Sequence, residues 1–246
     1  MKFGLKFDSD IGSMRVEKKI YSLVAGVLLG VTLFSGLLSL ASCEKSGLTE
    51  AEVAAALREA LIIGTDSSVN RLNRTDGYHG DPLVKIFLPP QAQGVAAAVD
   101  AIIPGLSDQL ILKINRAAET AAIKARPIFV DAITNMTIED AFGILRGAQN
   151  AATQYLRNKT YNQLAAAFLP DIQQSLESVG AQQLWQQFTS TYNSLPLVNP
   201  IPDNLAQFTT EKALDGLFVY IEKQEQKIRT DANARVTDLL RKVFGG

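Results

Sequence analysis

The sequence predicts an all-α chain: a single Ala-rich multi-helix bundle domain, with at most one short strand or extended segment near residues 82–89, preceded by an N-terminal signal helix. Three observations carry this. A single long apolar run, Ile20 to Leu40, stands apart from the rest of the chain. Beyond it, apolar residues recur at three- and four-residue spacing between Gly, Pro and Ser/Thr/Asp punctuation, the pattern of amphipathic helices. The chain has one cysteine, Cys43, so no intrachain disulfide can form and packing must carry the fold.

The apolar run follows Arg15, Lys18 and Lys19, the charged and apolar regions of an export signal. Residues ahead of Met14 make the charged region long, and a start at Met14 would give a more usual one. The run closes on Leu40-Ala41-Ser42-Cys43, which resembles a bacterial lipoprotein box. Small residues admit a peptidase to the backbone, and the thiol becomes the lipid's point of attachment. The expected division is a signal peptide over 1–42, a tether over 43–48 and a helical domain over 49–246. An uncleaved membrane-spanning helix and an ordinary cleaved signal with a free thiol are the alternatives. Acyl chains on Cys43 contribute about 0.8 kcal/mol per buried CH₂ to membrane attachment.

The elements follow in order. Thr49-Glu50-Ala51-Glu52 is a capping box opening a helix to about Asn73, with Val53, Leu57, Ala60 and Leu61 on one face. Asp76-Gly77 and His79-Gly80 break it. The stretch between Pro82 and Pro89 is the extended candidate, and Pro90 starts a helix to about Ile103. Ser107 is expected to cap a helix whose narrow face of Leu110, Ile111, Ile114, Ala117, Ala118 and Ala121 invites close packing. Pro127 restarts or kinks it, and Ile128 to Asn135 continues. Thr137 caps a short helix ending near Gly147. Separate helices are expected through Gln154-Tyr155-Leu156 and from Thr160 towards Gly180, the second bent or split at Pro170. A helix around Trp185 precedes the proline-rich loop Leu195 to Pro202. Thr209 or Thr210 opens a helix to about Arg229, and Asp231 caps the last one, with Val236, Leu239, Leu240 and Val243 inward.

Several phrases resemble a known family: R-T-D-G-Y from Arg74, N-R-A-A-E from Asn115, P-I-F-V-D-A-I from Pro127, E-D-A-F-G-I-L-R-G from Glu139, E-K-A-L-D-G-L-F from Glu211, and the ending from Ile228, I-R-T-D-A-N-A-R-V-T-D-L-L-R-K-V-F-G. These resemble the bacterial envelope proteins grouped as domain-of-unknown-function family 4197, often found with lipoprotein signals. The resemblance runs from about Leu48 to the C-terminus. It implies a domain boundary and supplies no catalytic residue.

Composition excludes some classes. The net charge is −1 and becomes more negative beyond Cys43, which argues against a nucleic-acid binder with its basic stripe. One histidine and one cysteine exclude a zinc site built from those residues. No P-loop, G-x-G-x-x-G, G-x-S-x-G or H-E-x-x-H pattern occurs, and no cofactor is expected. Three polar groups remain as candidate sites. The loop Arg74 to Asp81 gathers Asp76, Tyr78, His79 and Asp81 for a cation or ligand, or forms a solvated turn. Asn115, Arg116 and Glu119, with Asp131, Asp140 and Arg146 following, make either a polar pocket or an internal network of ion pairs and caps. Glu225 falls on an apolar helical stripe and needs a partner. It pairs with Asp215 or Glu222 for acid–base work, or with Arg157, Arg229 or Arg235 as a structural ion pair.

The expected function is a non-enzymatic, lipid-anchored module of a Gram-negative-type cell envelope, binding a protein or a small apolar ligand. Glu44, with no aspartate after the cysteine, points to outer-membrane sorting and a periplasmic face. A carboxylate-based hydrolase and a structural oligomer, self-associating around Leu195 to Ile201, are the alternatives.

Overall fold

The computed structural model describes residues 48–201, 204–235 and 237–244. The expected signal, Cys43 with its tether up to residue 47, and Val236, expected to face inward, lie outside these. The described residues form one helical bundle without strands. Among them, no helix is long and apolar enough to cross a membrane.

Helix α1 (Glu50–Leu72) begins as its sequence demands: Glu52 N–H donates to Thr49 Oγ1 at 3.2 Å and Thr49 N–H returns to Glu52 Oε2 at 2.8 Å. The expected helix over 90–103 is instead two pieces, α2 (Pro90–Gln93) and α3 (Ala96–Ile102), parted at Gly94 and Val95. Helix α4 (Leu106–Ala121) is not capped by Ser107. Gly105, at φ 73°, turns the chain into it, and the side chain of Asp100 accepts from Ser107 N–H at 2.9 Å. A 3₁₀ turn leads to α5 (Ala125–Thr134), with Pro127 in its first turn. A second capping box, Thr137 with Asp140, opens α6 (Ile138–Arg146).

Two expected breaks do not occur. Residues 151–178 form one helix, α7 (Ala151–Ser178), where two were expected. Thr160 lies inside it, its hydroxyl bonded back to Leu156 O at 2.6 Å rather than capping. Pro170 does not split it either. The proline and Ala166, whose carbonyl its missing N–H would have met, are both on the exposed side. Water can serve that carbonyl while Leu164, Phe168, Ile172 and Leu176 stay buried on the other face. The same logic moves the start of α9 (Leu205–Thr230) a turn earlier than expected, because Thr210 bonds back to Ala206 O and buried Leu205 anchors the first turn. Between them lies α8 (Ala181–Asn193), with Trp185 stacked on Phe188 at 5.7 Å. Asp231 caps a 3₁₀ turn, not the last helix. That helix, α10 (Asp238–Phe244), takes its cap from Thr237, whose hydroxyl accepts from Leu240 N–H.

The core sits where α7 and α9 run against each other, with α1 and α5 on one side and α4 on another; α8 closes over α4. Phe218 is its aromatic centre, edge-on to Phe129 at 5.9 Å and stacked with Tyr161 at 6.4 Å. Ala117, Ala118 and Ala121, the small residues of the expected close-packing face, are buried, Ile111 of that face is half-buried, and Ala122 and Ala125 beyond it are buried too.

Candidate functional site

The chain between α1 and α2 has no helix or ladder to satisfy its backbone, yet Tyr78, Val84, Ile86 and Leu88 are buried. Turns within the loop meet part of its backbone, as where Gly80 N–H donates to Asp76 O and Val84 and Lys85 N–H to Asp81 O; other buried groups must be met by side chains, and the candidate residues do this. Tyr78 N–H and His79 N–H both donate to Glu119 Oε1, at 3.1 and 3.2 Å, from α4. Glu119 Oε2 takes Arg116 Nη1 at 2.6 Å, and Arg116 Nη2 reaches Asp76 at 2.8 Å. That bond is the largest of the causes that hold the Asp76 carboxyl below its usual range. One turn earlier on α4, the Asn115 amide closes a ring with Ile86. It accepts Ile86 N–H at 2.9 Å and donates to Ile86 O at 2.7 Å. Tyr78 inserts its ring fully and donates its hydroxyl to Ala213 O at 2.7 Å; burial pushes its phenol well up. Gly216 makes room for it, since a Cβ there would lie 2.8 Å from Tyr78 Cε1.

So the sequence candidates Asp76, Tyr78, His79, Asn115, Arg116 and Glu119, read as two groups, are one structure. Asn115 and Glu119 face the loop because they stand four residues apart on one helix face. Their function here is to stand in for a missing strand. His79 Nδ1 lies 3.5 Å from Asp76, which is 55% exposed. Asp131, Asp140 and Arg146 belong to neither part: Asp131 holds Asn135, Asp140 caps α6, and Arg146 covers Phe142.

A trio that the spacing did not reveal pins the end of the loop. Asp81, in the loop, accepts a hydrogen bond from the Tyr220 hydroxyl of α9 and one from Arg71 Nη2 of α1 at 2.9 Å. Burial raises the Asp81 pKa, but these donors together outweigh it and hold the carboxyl down to about 2. A carboxylate depressed in the folded state stabilises it above the unfolded value and loses that effect as pH falls through the folded one. Acid unfolding of the wild type should therefore show a component between the ordinary value, 3.8, and about 2. An Asp81→Asn variant should lack it in a circular-dichroism titration. An identical acid limb in both would mean that Asp81 does not hold the loop.

Glu225 lies far along α9 and is 7% exposed. Ala152 N–H donates to its Oε1 at 3.0 Å, and both the N–H and the hydroxyl of Thr153 donate to its Oε2 at 2.8 Å. Arg229 supplies Nε and Nη2 to Oε1, at 3.0 and 2.9 Å, and turns Nη2 also to Ile144 O at 2.9 Å. Ala152 and Thr153 are the second and third residues of α7, whose own leading residue, Asn150, makes no side-chain cap. Glu225 thus caps α7 from another helix, while Arg229 meets a carbonyl in the last turn of α6. Each charge sits at the helix end whose dipole favours it. Of the three expected partners Arg229 is the one used. Arg157 pairs with Asp215 at 2.6 Å and stacks over Phe218, and Arg235 bonds Ile228 O and Arg229 O. Asp215 also takes Lys212. It stands ten residues from Glu225 on the same helix, about 15 Å along the axis, so the two are no carboxylate pair.

The space beside Glu225 is an apolar slot between α1 and α9 with room for about one water. Among the described residues no three His, Cys, Asp or Glu side chains converge to hold a metal ion. Around Leu195 to Ile201, Leu197, Pro196 and Pro200 are exposed, Leu195 and Val198 are half-buried, and Ile201 is buried.

A family model described as a protein of unknown function, DUF4197, matches residues 47–245. No curated protein and no solved structure matches the chain.

Proposed function

The chain belongs to the DUF4197 family, and from its sequence and geometry we propose that it is a lipid-anchored envelope protein whose helical domain binds a protein partner rather than turning over a substrate. The observation that carries the binding reading is the state of the buried acids. Glu119 accepts three hydrogen bonds and Glu225 five, all from donors of their own fold, backbone N–H groups among them. A general base needs a lone pair aimed at a substrate proton; these carboxylates spend theirs on helix and loop ends.

The anchor rests on Leu40-Ala41-Ser42-Cys43, the only thiol of the chain at the end of its longest apolar run. Membrane-extracted protein, measured intact by mass spectrometry in mild detergent, should carry an acylated Cys43 and lack residues 1–42. The Cys43→Ser variant should lose the acyl mass and leave the membrane fraction on washing. A full-length, unacylated wild-type mass would sink the anchor. A reproducible small-molecule adduct would turn the binding reading towards a small-ligand carrier.

A further inference from the structure

In an extended chain the N–H and C=O of successive residues point to opposite edges. The segment after Val84 is extended by its burial: Val84, Ile86 and Leu88 inward, Phe87 51% exposed. Ile86 turns its N–H and C=O to α4, where Asn115 binds both. Phe87 therefore presents its own N–H and C=O to the other edge, together with Lys85 C=O. Among the described residues, these three groups make no hydrogen bond. Along that edge runs a groove of about 240 Å³, floored by Gly216 and walled on its far side by Phe208, Lys212 and Val219 of α9. Leu83, at 50% exposed, widens the apolar mouth.

The charge around it is unbalanced. Lys85 lies over the Phe87 ring at 5.8 Å, while Lys212 and Arg157 share the single carboxylate of Asp215. Of the charged residues that line the groove, two cations, Lys85 and Lys212, stand against one anion, Asp215, which Arg157 from outside the groove already shares. We propose that this groove takes a short extended segment of a partner protein, which adds as a strand to the Phe87 edge and directs an acidic side chain to Lys85 and Lys212. A strand is the fitting occupant because it alone offers a donor and an acceptor at the spacing that Phe87 leaves open, with alternate side chains for the groove. Pro82, Pro89 and Pro90 bracket the segment, so the paired stretch is short. The proposal rests on the reading of the domain as a protein-binding module and names the surface and the partner's chemistry.

The test uses the full chain in detergent micelles, panned against a phage-displayed library of random heptapeptides. Enriched peptides should alternate apolar and acidic residues. Synthetic copies should bind wild type at least about tenfold more tightly than Phe87→Pro, which removes the edge donor, the scale of one backbone hydrogen bond. N-methylation of the one peptide amide that pairs with Phe87 C=O should cost about as much without altering the protein. Lys85→Glu should reverse the preference for acidic side chains. No enrichment, or enriched peptides indifferent to N-methylation and to both variants, overturns the proposal. So does self-association of the full chain abolished by Phe87→Pro in sedimentation, which would make a second copy the occupant. If partners cross-link in membranes at another face while the groove stays idle, the binding-module reading survives and this surface fails; if no protein cross-links anywhere, both fail.

Discussion

Replacing Glu225 by Ala should destabilise the protein by about 3–5 kcal/mol, the loss typical when one partner of a buried ion pair is removed. Two costs act together. The α7 amides of Ala152 and Thr153, now facing an apolar slot, lose their acceptor. Arg229, with only 13% of its side chain exposed, keeps its charge and loses its counter-ion. Glu225→Gln separates the two. One amide oxygen can still accept, but the NH₂ group must face other donors, so about 1–3 kcal/mol should be lost. Arg229→Met keeps the cap and removes the cation, and should cost less than Glu225→Ala. Urea unfolding followed by Trp185, the only tryptophan, reads all three. Hydrogen exchange should show Ala152 and Thr153 opening first in Glu225→Ala. A loss below about 1 kcal/mol for Glu225→Ala would mean that the α7 start is held by something else.

The ends of the helices show what local sequence can decide. Thr49/Glu52 and Thr137/Asp140 are reciprocal contacts three residues apart, and both formed where the pattern placed them. Thr160 and Thr210 carry the same side-chain chemistry in the same kind of pattern, yet neither is a cap; Ser107 is no cap either, its buried hydroxyl making no hydrogen bond among the described residues. A hydroxyl near the start of an apolar pattern can bond forward to an N–H or back to the carbonyl four residues earlier. Which one it does depends on whether the preceding residues are helical, and that is settled by burial of Leu156 and Leu205 against other helices. Pro170, expected to bend or split the helix, does not split it, for a related reason. Its cost depends on which side of the helix it occupies, and the inward stripe of Leu164 and Phe168 put it towards water.

The candidate acids were legible as residues in need of a partner, not as residues whose partner could be named. The place of Glu225 on an apolar stripe marks it as needing a partner, and Arg229, four residues on, is one of the three arginines that the sequence offers it. Its larger role, capping α7, links positions more than seventy residues apart, and no periodicity encodes such a pairing. Asn115 and Glu119 sat on one flank of α4, the correct face, but the loop they serve lies some 30 to 40 residues earlier. The Asp81, Arg71 and Tyr220 trio joins three elements and left no pattern in any one of them. The alternation between Leu83 and Leu88 was the signal that could have revealed the free edge. It is a half-buried strand pattern with only one side partnered.

Asn115 supplies the second large effect, and its form distinguishes a strand substitute from an ordinary buried amide. The side chain is wholly buried and makes three hydrogen bonds, two of them to Ile86. Asn115→Leu keeps the volume and orphans Ile86 N–H and Ile86 O together, at about 1–3 kcal/mol each, so a loss of about 2–5 kcal/mol is expected in urea unfolding. Asn115→Asp should be pH-dependent in a specified sense. As a carboxylate it still accepts Ile86 N–H but sets a negative charge against Ile86 O and Ile111 O; once protonated it can donate to one of them. Burial and those carbonyls raise its folded pKa above the unfolded value, so its penalty grows as pH rises past the unfolded carboxyl value, about 3.9, and fades on acidification. Asn115→Asp should therefore gain stability relative to wild type between neutral pH and about pH 4, while Asn115→Leu keeps a constant deficit. Parallel pH profiles for the two variants would show that the amide does not donate to Ile86 O. Because Asn115 holds the inner edge, release of Ile86 must also let Phe87 turn. Both variants, tested at neutral pH on chains that remain folded, should then bind an edge-pairing peptide more weakly than wild type, although residue 115 does not line the groove.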